Sequence, residues 1–411
     1  MKQFISTALA IIFTLSLSAQ NTDKSEFKEY EPGYYQNSIL KDVRKVNTKL
    51  KKEEKYKHFQ MDQSSYELPN KVNLYKREWA NPVISQGNAG TCWAYSTISF
   101  LESETYRLNK KQVKLSEIYT VYWEYVEKAR GFVESRGTSN FSQGSEGNAV
   151  TRQWKKHGTV PYSVYSGLIN NRKFHSHKLM FNEMKTYLKS VKEQNAWNIE
   201  IVEETVKGIM NHHIGQPPVK FDYKGKTYTG LSFMKDYLNI KPEDYVEILS
   251  YKQEPYFQKV EYKVPDNWWH SKEYYNVPLD DFMKAVHHSI TGGYTMSIGG
   301  DVSEAGFVRG TLVALIPDFD IPSEYINEDA RQFRFSNETT TDDHGMHMVG
   351  YLEKNGENWY LIKDSSSGSR NNNPKAHEFG YYFFHEDYVK LKMMGFTVHK
   401  DAVKKLLKKF K

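Results

Sequence analysis

A single cysteine occurs in the 411 residues, and its surroundings suit a nucleophile. The polar, glycine-rich segment from Gln86 to Thr91 leads into Cys92, and an apolar run compatible with a helix extends from Trp93 to Leu108. The pattern predicts a helix that begins at the thiol, where unpaired backbone N–H groups and a partial positive charge favour the thiolate. The alternative is a buried cysteine that acts as a small apolar residue.

A thiolate nucleophile needs a base, a group that orients the base, and donors for the oxyanion. The segment from Thr341 to Gly350 contains two imidazoles, His344 and His347, and only the fold can bring them to Cys92. The hairpin predicted after it ends in Lys363-Asp364-Ser365, and Asp364 supplies an acceptor near the same sheet edge. Gln86 supplies an amide six residues before the thiol.

The same two histidines, with Asp342 and Asp343 beside them, raise the alternative of a metal site. Their spacing of three residues suits a helix, but the segment is predicted to be a loop that enters a strand. No second cluster of ligands stands out in the sequence, and a closed metal site needs three or four ligands. We therefore predict no metal.

Composition predicts a large globular protein. Hydrophobic residues make up 39% and aromatic residues 15% of the chain, which is typical of a folded protein with large buried surfaces. The length exceeds one ordinary core, so we expect two domains or a core with a large insertion. The net charge of +6 is small and lacks a basic patch interleaved with aromatics, which argues against nucleic-acid binding.

The N-terminus has the pattern of a secretory signal peptide. Lys2 precedes an apolar run that ends in Leu17-Ser18-Ala19, so residues 1–19 are predicted to be removed by cleavage near Ala19. An exported protein, periplasmic or secreted, is expected, without stable membrane insertion after cleavage. The alternative is an uncleaved anchor. With one cysteine, the chain cannot form a disulfide within itself.

Helical patterns come first and strand patterns last, which predicts an α+β fold with two lobes. Besides the Cys92 helix, the patterns predict helices at Ile118–Tyr125, Ala149–His157 and Leu279–Ile290, strands at Tyr294–Val302, His347–Gly350, Trp359–Lys363 and Tyr381–Phe384, and hairpin turns at Lys224-Gly225 and Asn355-Gly356. We predict a polar leader over residues 20–67, a main domain over 68–403 with an inserted subdomain at about 170–260, and a basic tail over 404–411.

The segment from Gln86 to Ser96 resembles the active-site signature of papain-like cysteine peptidases. Asp343–Tyr351 resembles the segment of that family that carries the catalytic histidine, and Tyr360–Ser365 resembles the segment that carries the orienting asparagine. The resemblance implies peptide-bond hydrolysis by a thiolate–imidazolium pair of Cys92 and His344, with His347 a bystander. It also implies that Asp364 orients the base, and that Gln86 and the Cys92 backbone N–H hold the oxyanion. The implied fold has a helical lobe followed by an antiparallel sheet or barrel lobe.

Four further segments resemble one branch, the bleomycin hydrolase/aminopeptidase C group, and in particular its exported members; they are Leu115–Phe132, Gly144–Pro161, Tyr275–Val302 and Arg331–Gly350. The resemblance covers about residues 68–403. It implies aminopeptidase action on peptides, no cofactor, and a homo-hexamer. Gly144 and Ser145 align with the glycine-rich wall of the substrate cleft, although an ordinary loop has the same composition.

The sequence departs from this family at two places. Asp364 stands where the family has Asn, and Ser366 stands where it has Trp. The carboxylate favours the imidazolium, and loss of the Trp predicts a wetter and weaker bond to His344. The C-terminal arm that lies in the cleft of the group is here the short basic segment Val403–Lys411. These departures motivate two alternatives, a catalytically degenerate peptide-binding protein and an endopeptidase.

Overall fold

The computed structural model describes residues 31–50, 59–366 and 375–410, with the side chains of 47–50 left out. The predicted signal peptide, residues 1–19, lies outside these ranges. The chain divides into two units, residues 1–58 and 59–411. In the first unit a π-helical turn, Tyr35–Leu40, continues directly into helix α1, Lys41–Leu50. None of the helices in the described ranges is long and apolar enough to cross a membrane.

The helices of the second unit divide between two lobes. They are α2 (Cys92–Asn109), α3 (Glu117–Glu134), α4 (Gly147–His157), α5 (Lys178–Glu193), α6 (Ile199–Ile214), α7 (Gly230–Ser232), α8 (Leu279–Thr291), α9 (Glu328–Ser336), α10 (Glu386–Lys392) and α11 (Lys404–Leu407). Helices α2 to α6 share one apolar core. The Ser116 side chain caps α3 by accepting a hydrogen bond from the backbone N–H of Tyr119 at 3.0 Å.

A large sheet forms the second lobe. The strands of the chain are β1 (Lys76–Arg77), β2 (Phe221–Tyr223), β3 (Lys226–Tyr228), β4 (Tyr245–Leu249), β5 (Gln258–Val260), β6 (Tyr274–Asn276), β7 (Met296–Gly300), β8 (Phe307–Val308), β9 (Val313–Ala314), β10 (His344–Lys354), β11 (Glu357–Lys363), β12 (Tyr381–His385) and β13 (Met393–His399). The sheet order is β5-β6-β4-β13-β7-β10-β11-β12-β9-β8, with β1 paired to β10. Strands β2 and β3 form a separate hairpin, and α8 packs in the apolar core of the sheet lobe.

The predicted α+β fold with two lobes is confirmed, with one correction to the sheet. Two of its pairs, β4 with β6 and β12 with β9, are parallel, so the sheet is mixed and not antiparallel throughout. Two parallel strands need a long connection between them, so they are distant in the sequence. A local sequence pattern therefore does not predict that they pair. Both predicted hairpins form, because Lys224-Gly225 and Asn355-Gly356 adopt the positive φ angles that tight turns require.

The two ends of the main unit are more buried than their composition predicts. Met61 and Gln63, in the predicted polar leader, are buried against the sheet lobe. In the predicted basic tail, Leu406 is buried and Phe410 packs against Tyr275. The inserted subdomain stays a prediction: α5 and α6 share the core of the helical lobe, while β4 and β5 belong to the main sheet.

Candidate active site

Helix α2 begins at Cys92, as predicted, and its first turn is held in place from two sides. The Thr91 carbonyl accepts the backbone N–H groups of Ala94 and Tyr95 at 3.0 and 3.1 Å. The Trp93 indole N–H donates to the Gln143 carbonyl at 3.1 Å. Cys92 itself is half-buried and lines the acidic cavity described below. At a helix start, backbone N–H groups without intrahelical partners favour a nearby negative charge.

Strand β10 begins at His344 and lies directly against α2. An added Cβ at Gly345 would come within 2.9 Å of the Ser96 hydroxyl, so glycine permits this close approach. On the same face of β10, His347 bonds through Nδ1 to the Ser99 hydroxyl at 2.9 Å. The packing of α2 on β10 therefore carries the thiol of one lobe to the imidazole of the other.

His344 stands between the thiol and a carboxylate. Its Nε2 bonds to Oδ1 of Asp364 at 2.7 Å, so Nδ1 is the ring atom left to face Cys92. Burial alone would lower the pKa of His344, but the Asp364 carboxylate and the Cys92 thiol outweigh it and raise this pKa well above its usual value. The geometry therefore favours an imidazolium next to the thiol, which is the charge state of a thiolate–imidazolium pair.

Asp364 is fully buried, and this corrects the expectation of a wet, weak bond. Its side chain has 0% exposure and that of His344 has 8%. Ser366, in place of Trp, donates its backbone N–H to Oδ1 at 3.1 Å and its hydroxyl to Oδ2. Burial would raise the pKa of Asp364, but the charge of His344 and the bonds from His344 and Ser366 hold it well below its usual range. The serine thus supports the carboxylate by direct hydrogen bonds.

Gln86 lies beside this arrangement and joins it to the loop before Cys92. Its side-chain N–H donates to the Ala89 carbonyl at 2.8 Å, and its Oε1 accepts the Ser365 hydroxyl at 2.7 Å. Its backbone N–H donates to the Ser365 carbonyl at 3.1 Å. Since the Ala89 carbonyl can only accept, the nitrogen of the Gln86 side-chain amide must face it. The second N–H of that nitrogen takes part in neither of these two hydrogen bonds. Its predicted role at the oxyanion stays a prediction.

Of the two residues predicted to form a substrate wall, Gly144 and Ser145, only Ser145 lines the cavity. Ser145 lines the cavity that holds Cys92 and His344, but its hydroxyl donates to Glu124 at 2.8 Å. Gly144 does not line this cavity. An added Cβ at Gly144 would come within 2.0 Å of the Asp266 carboxylate, so the glycine accommodates Asp266, and its predicted contact with substrate stays a prediction.

The remaining lining of the cavity is acidic. Five carboxylates share it with Cys92 and His344, and no Lys or Arg is among the described lining residues; the acidic residues are Glu146, Glu247, Asp266, Asp342 and Asp343. They come from the start of α4, from β4, from the loop between β5 and β6, and from the residues before β10. We call this set the acidic wall. Asp342 and Asp343 were visible in the sequence beside His344, but no local pattern links the other three.

Burial and mutual repulsion make the acidic wall hold protons more tightly than ordinary carboxylates do. Burial and the charge of Asp266 raise the pKa of Asp342 to about 7, and burial raises that of Glu247 to about 7. Burial and the charge of Asp342 raise the pKa of Glu146 well above its usual value. The described residues contain no group of three or more His, Cys, Asp or Glu side chains placed to hold a metal ion.

His347, the second predicted imidazole, lies away from this cavity. The Lys363 ammonium donates to the Ser99 hydroxyl at 2.8 Å, and the hydroxyl is thereby directed to donate to Nδ1 of His347. Burial and the charge of Lys363 hold the pKa of His347 well below its usual value. A neutral, buried His347 therefore supports the packing of α2 on β10.

A helix-start thiol, an imidazole and a buried carboxylate in series are the parts of a cysteine peptidase. The chain belongs to the Peptidase C1-like family, whose model matches residues 22–411. The predicted papain-like cysteine peptidase is thereby confirmed.

Similar proteins share most of their length with this chain. Aminopeptidase G of Lactobacillus delbrueckii subsp. lactis is 23% identical over 366 residues, which cover 79% of this chain and 82% of that protein. Aminopeptidase C of Streptococcus thermophilus is 22% identical over 76% of each chain. The solved structure of PepW from Lactobacillus rhamnosis HN001 aligns with a TM-score of 0.61 at 18% identity, covers 82% of this chain and 86% of that one, and shows the same fold.

Proposed function

We propose that this protein is a cysteine aminopeptidase with Cys92 as nucleophile and His344 as base. The observation that carries the proposal is the Nε2–Oδ1 bond of 2.7 Å between His344 and Asp364, which directs the other ring nitrogen to Cys92. The names of the similar aminopeptidases G and C support the exopeptidase mode.

The reaction follows from these positions. The Cys92 thiolate attacks the peptide carbonyl, and the oxyanion forms beside the start of α2, where backbone N–H groups and the Gln86 amide would donate to it. The His344 imidazolium gives its proton to the leaving amine, while Asp364 holds the ring in place. Water then hydrolyses the acyl-enzyme with His344 acting as the base.

The test compares free and N-acetylated fluorogenic peptides with the purified mature chain. We expect hydrolysis of the free peptides, loss of activity in Cys92→Ala, and fast labelling of Cys92 by a thiol-directed epoxide that disappears in His344→Ala. Full activity in Cys92→Ala would refute the proposal. Labelling no faster than that of a free thiol, with no hydrolysis, would identify the degenerate peptide-binding alternative.

One observation favours the endopeptidase alternative. No residue of the described segment from 398 to 410 lines the cavity, and Lys409 pairs instead with Asp281 at 2.7 Å. Hydrolysis of N-acetylated peptides at rates equal to those of free peptides would therefore favour an endopeptidase.

We also propose export and assembly into a homo-hexamer. The sequence pattern of residues 1–19 supports export, and the resemblance to the aminopeptidase C group supports the assembly. N-terminal sequencing of the protein from the periplasm or the medium, expected to begin near Gln20, tests the first proposal. Sedimentation equilibrium of the mature chain tests the second.

A further inference from the structure

The acidic wall is not explained by the reaction of Cys92. Cys92, His344 and Asp364 supply the nucleophile, the base and its orienting group, and no residue of the wall hydrogen-bonds to any of these three within the described residues. Burying carboxylates beside one another destabilises a folded protein unless protons or a cation neutralise them. The raised pKa values of Glu146 and Asp342 show that protons meet part of this need, and a bound cation would meet it without them.

A second, independent feature of the cavity points to a ligand. Tyr262 also lines it and is only 2% exposed, and its hydroxyl forms no hydrogen bond of ordinary distance and angle within the described residues. Burial and the charges of Asp342 and Glu146 raise the pKa of Tyr262 well above its usual value, and the Tyr262 hydroxyl in turn lowers the pKa of Asp342, so these groups lie close together. An unpaired buried hydroxyl costs free energy, so this one is placed to take a partner from whatever occupies the cavity.

We propose that Glu146, Asp342 and Tyr262 form a subsite for an organic cation of the substrate, either the N-terminal α-ammonium or a Lys or Arg side chain. An ammonium group has three N–H donors and no acceptor, and these two carboxylates with the phenol oxygen offer three acceptors. The Tyr262 oxygen can accept from the cation. The inference rests on the proposed peptidase function and deepens it.

The position of the subsite suits either source of the cation. The α-ammonium of a peptide lies two bonds from the first carbonyl carbon, so an aminopeptidase must hold it in the cavity that contains the thiol. The described C-terminal segment to Phe410 does not line this cavity, whereas the carboxylates of the acidic wall do and can supply the countercharge. A Lys or Arg side chain next to the scissile bond would reach the same wall.

The experiment measures kcat/KM of wild type, Asp342→Asn and Tyr262→Phe with four fluorogenic substrates. The alanyl amide carries only the α-ammonium, and the N-acetyl-arginyl amide carries only the side-chain cation. The arginyl amide carries both, and the N-acetyl-alanyl amide carries neither. The matched control is Asp329→Asn, a carboxylate on α9 with 80% side-chain exposure. We expect Asp342→Asn to lower kcat/KM about 10- to 100-fold for substrates that carry the recognised cation, mainly through KM.

The outcomes separate the sources. A loss confined to substrates with a free N-terminus identifies the α-ammonium, and a loss confined to arginyl substrates identifies the side chain. Tyr262→Phe should follow the same pattern with a smaller loss, and Asp329→Asn should follow wild type. Equal loss on all substrates, the blocked alanyl amide included, or no loss on any, would overturn the subsite.

A binding measurement keeps the inference distinct from the proposed function. If wild type hydrolyses none of the four substrates, the proposed function fails, and calorimetric binding of alanine amide, arginine amide and N-acetyl-alanine amide still tests the subsite. Binding of either cationic amide that Asp342→Asn abolishes supports the subsite. Absence of such binding overturns it. Thermal unfolding of each variant checks that the fold is retained.

Discussion

Replacing Asp364 with Asn would remove one charge from the active site while keeping nearly the same shape. The Asn Oδ1 would still accept from Nε2 of His344 and from the backbone N–H of Ser366, which both bond to Oδ1 of Asp364. The Ser366 hydroxyl, which donates to Oδ2 in this structure, can rotate to accept from the new amide N–H. The principal change is therefore the loss of the negative charge that stabilises the His344 imidazolium.

The size of the effect follows from the buried bond of 2.7 Å. Coulomb's law at this distance, with an effective dielectric constant of about 20, sets an upper bound of about 6 kcal/mol. A hydrogen bond to a charged group contributes about 1.5–3 kcal/mol and a neutral one about 0.5–1.5 kcal/mol. We therefore expect Asp364→Asn to weaken the imidazolium by about 1–2 kcal/mol, or about 5- to 30-fold relative to the neutral ring.

The assay is the pH dependence of kcat/KM. Because His344 has a raised pKa, its imidazolium is present at low pH and is lost as the pH rises through that value. Asp364→Asn should move the alkaline limb of the profile to lower pH, with about 5- to 30-fold less activity above the limb and little change well below it. Ser366→Ala, which keeps the charge and removes one hydrogen bond, should move the limb less. An alkaline limb that Asp364→Asn leaves in place would refute the role of the carboxylate.

Two further predictions concern stability. Glu247 has a pKa raised to about 7, so between about pH 4.5 and 7 the folded protein keeps a proton that the unfolded chain releases. The free energy of unfolding therefore falls as the pH rises through this range. Glu247→Gln should therefore raise the free energy of unfolding above pH 7 by up to about 3 kcal/mol and change it little at pH 4; equal effects at both pH values in urea titrations would contradict the reasoning. Gly144→Ala should destabilise the protein by about 1–3 kcal/mol, because its Cβ would collide with the Asp266 carboxylate. The matched control, Gly208→Ala within α6, meets no atom within 4 Å and should stabilise it by about 0.5–1 kcal/mol in the same titration; losses of equal size would contradict the collision.

Much of the site could be predicted because local chemistry determines it. Glycine and polar residues before an apolar helical run predict a helix start at Cys92, and Asn355-Gly356 predicts the hairpin that returns the chain from β10 to β11. The register of that hairpin pairs His347 with Lys363 and so brings the start of β10 to the residue after Lys363, which is Asp364. The proximity of His344 to Asp364 thus follows from a turn that the sequence predicts.

The acidic wall could not be predicted in the same way. Glu146, Glu247 and Asp266 come from three separate segments and meet only through the packing of the lobes. Each is unremarkable among the 50 acidic residues of the chain, because an isolated carboxylate is usually a solvated one. The burial of Asp364 could not be predicted either, because it depends on its neighbours in the fold. Replacing Trp with Ser predicts exposure, but Ser366 hydrogen-bonds to the carboxylate.

The paired bonds between Gln86 and Ser365 have a consequence for how the site responds to change. Ser365 follows Asp364 directly in the chain, and both its carbonyl and its hydroxyl bond to Gln86. A displacement of this short backbone segment therefore alters the support of the imidazole and the geometry of the loop before the thiol together. Substitutions at Gln86 and Asp364 should be thermodynamically coupled, so that the double variant loses less transition-state stabilisation than the sum of the two single losses.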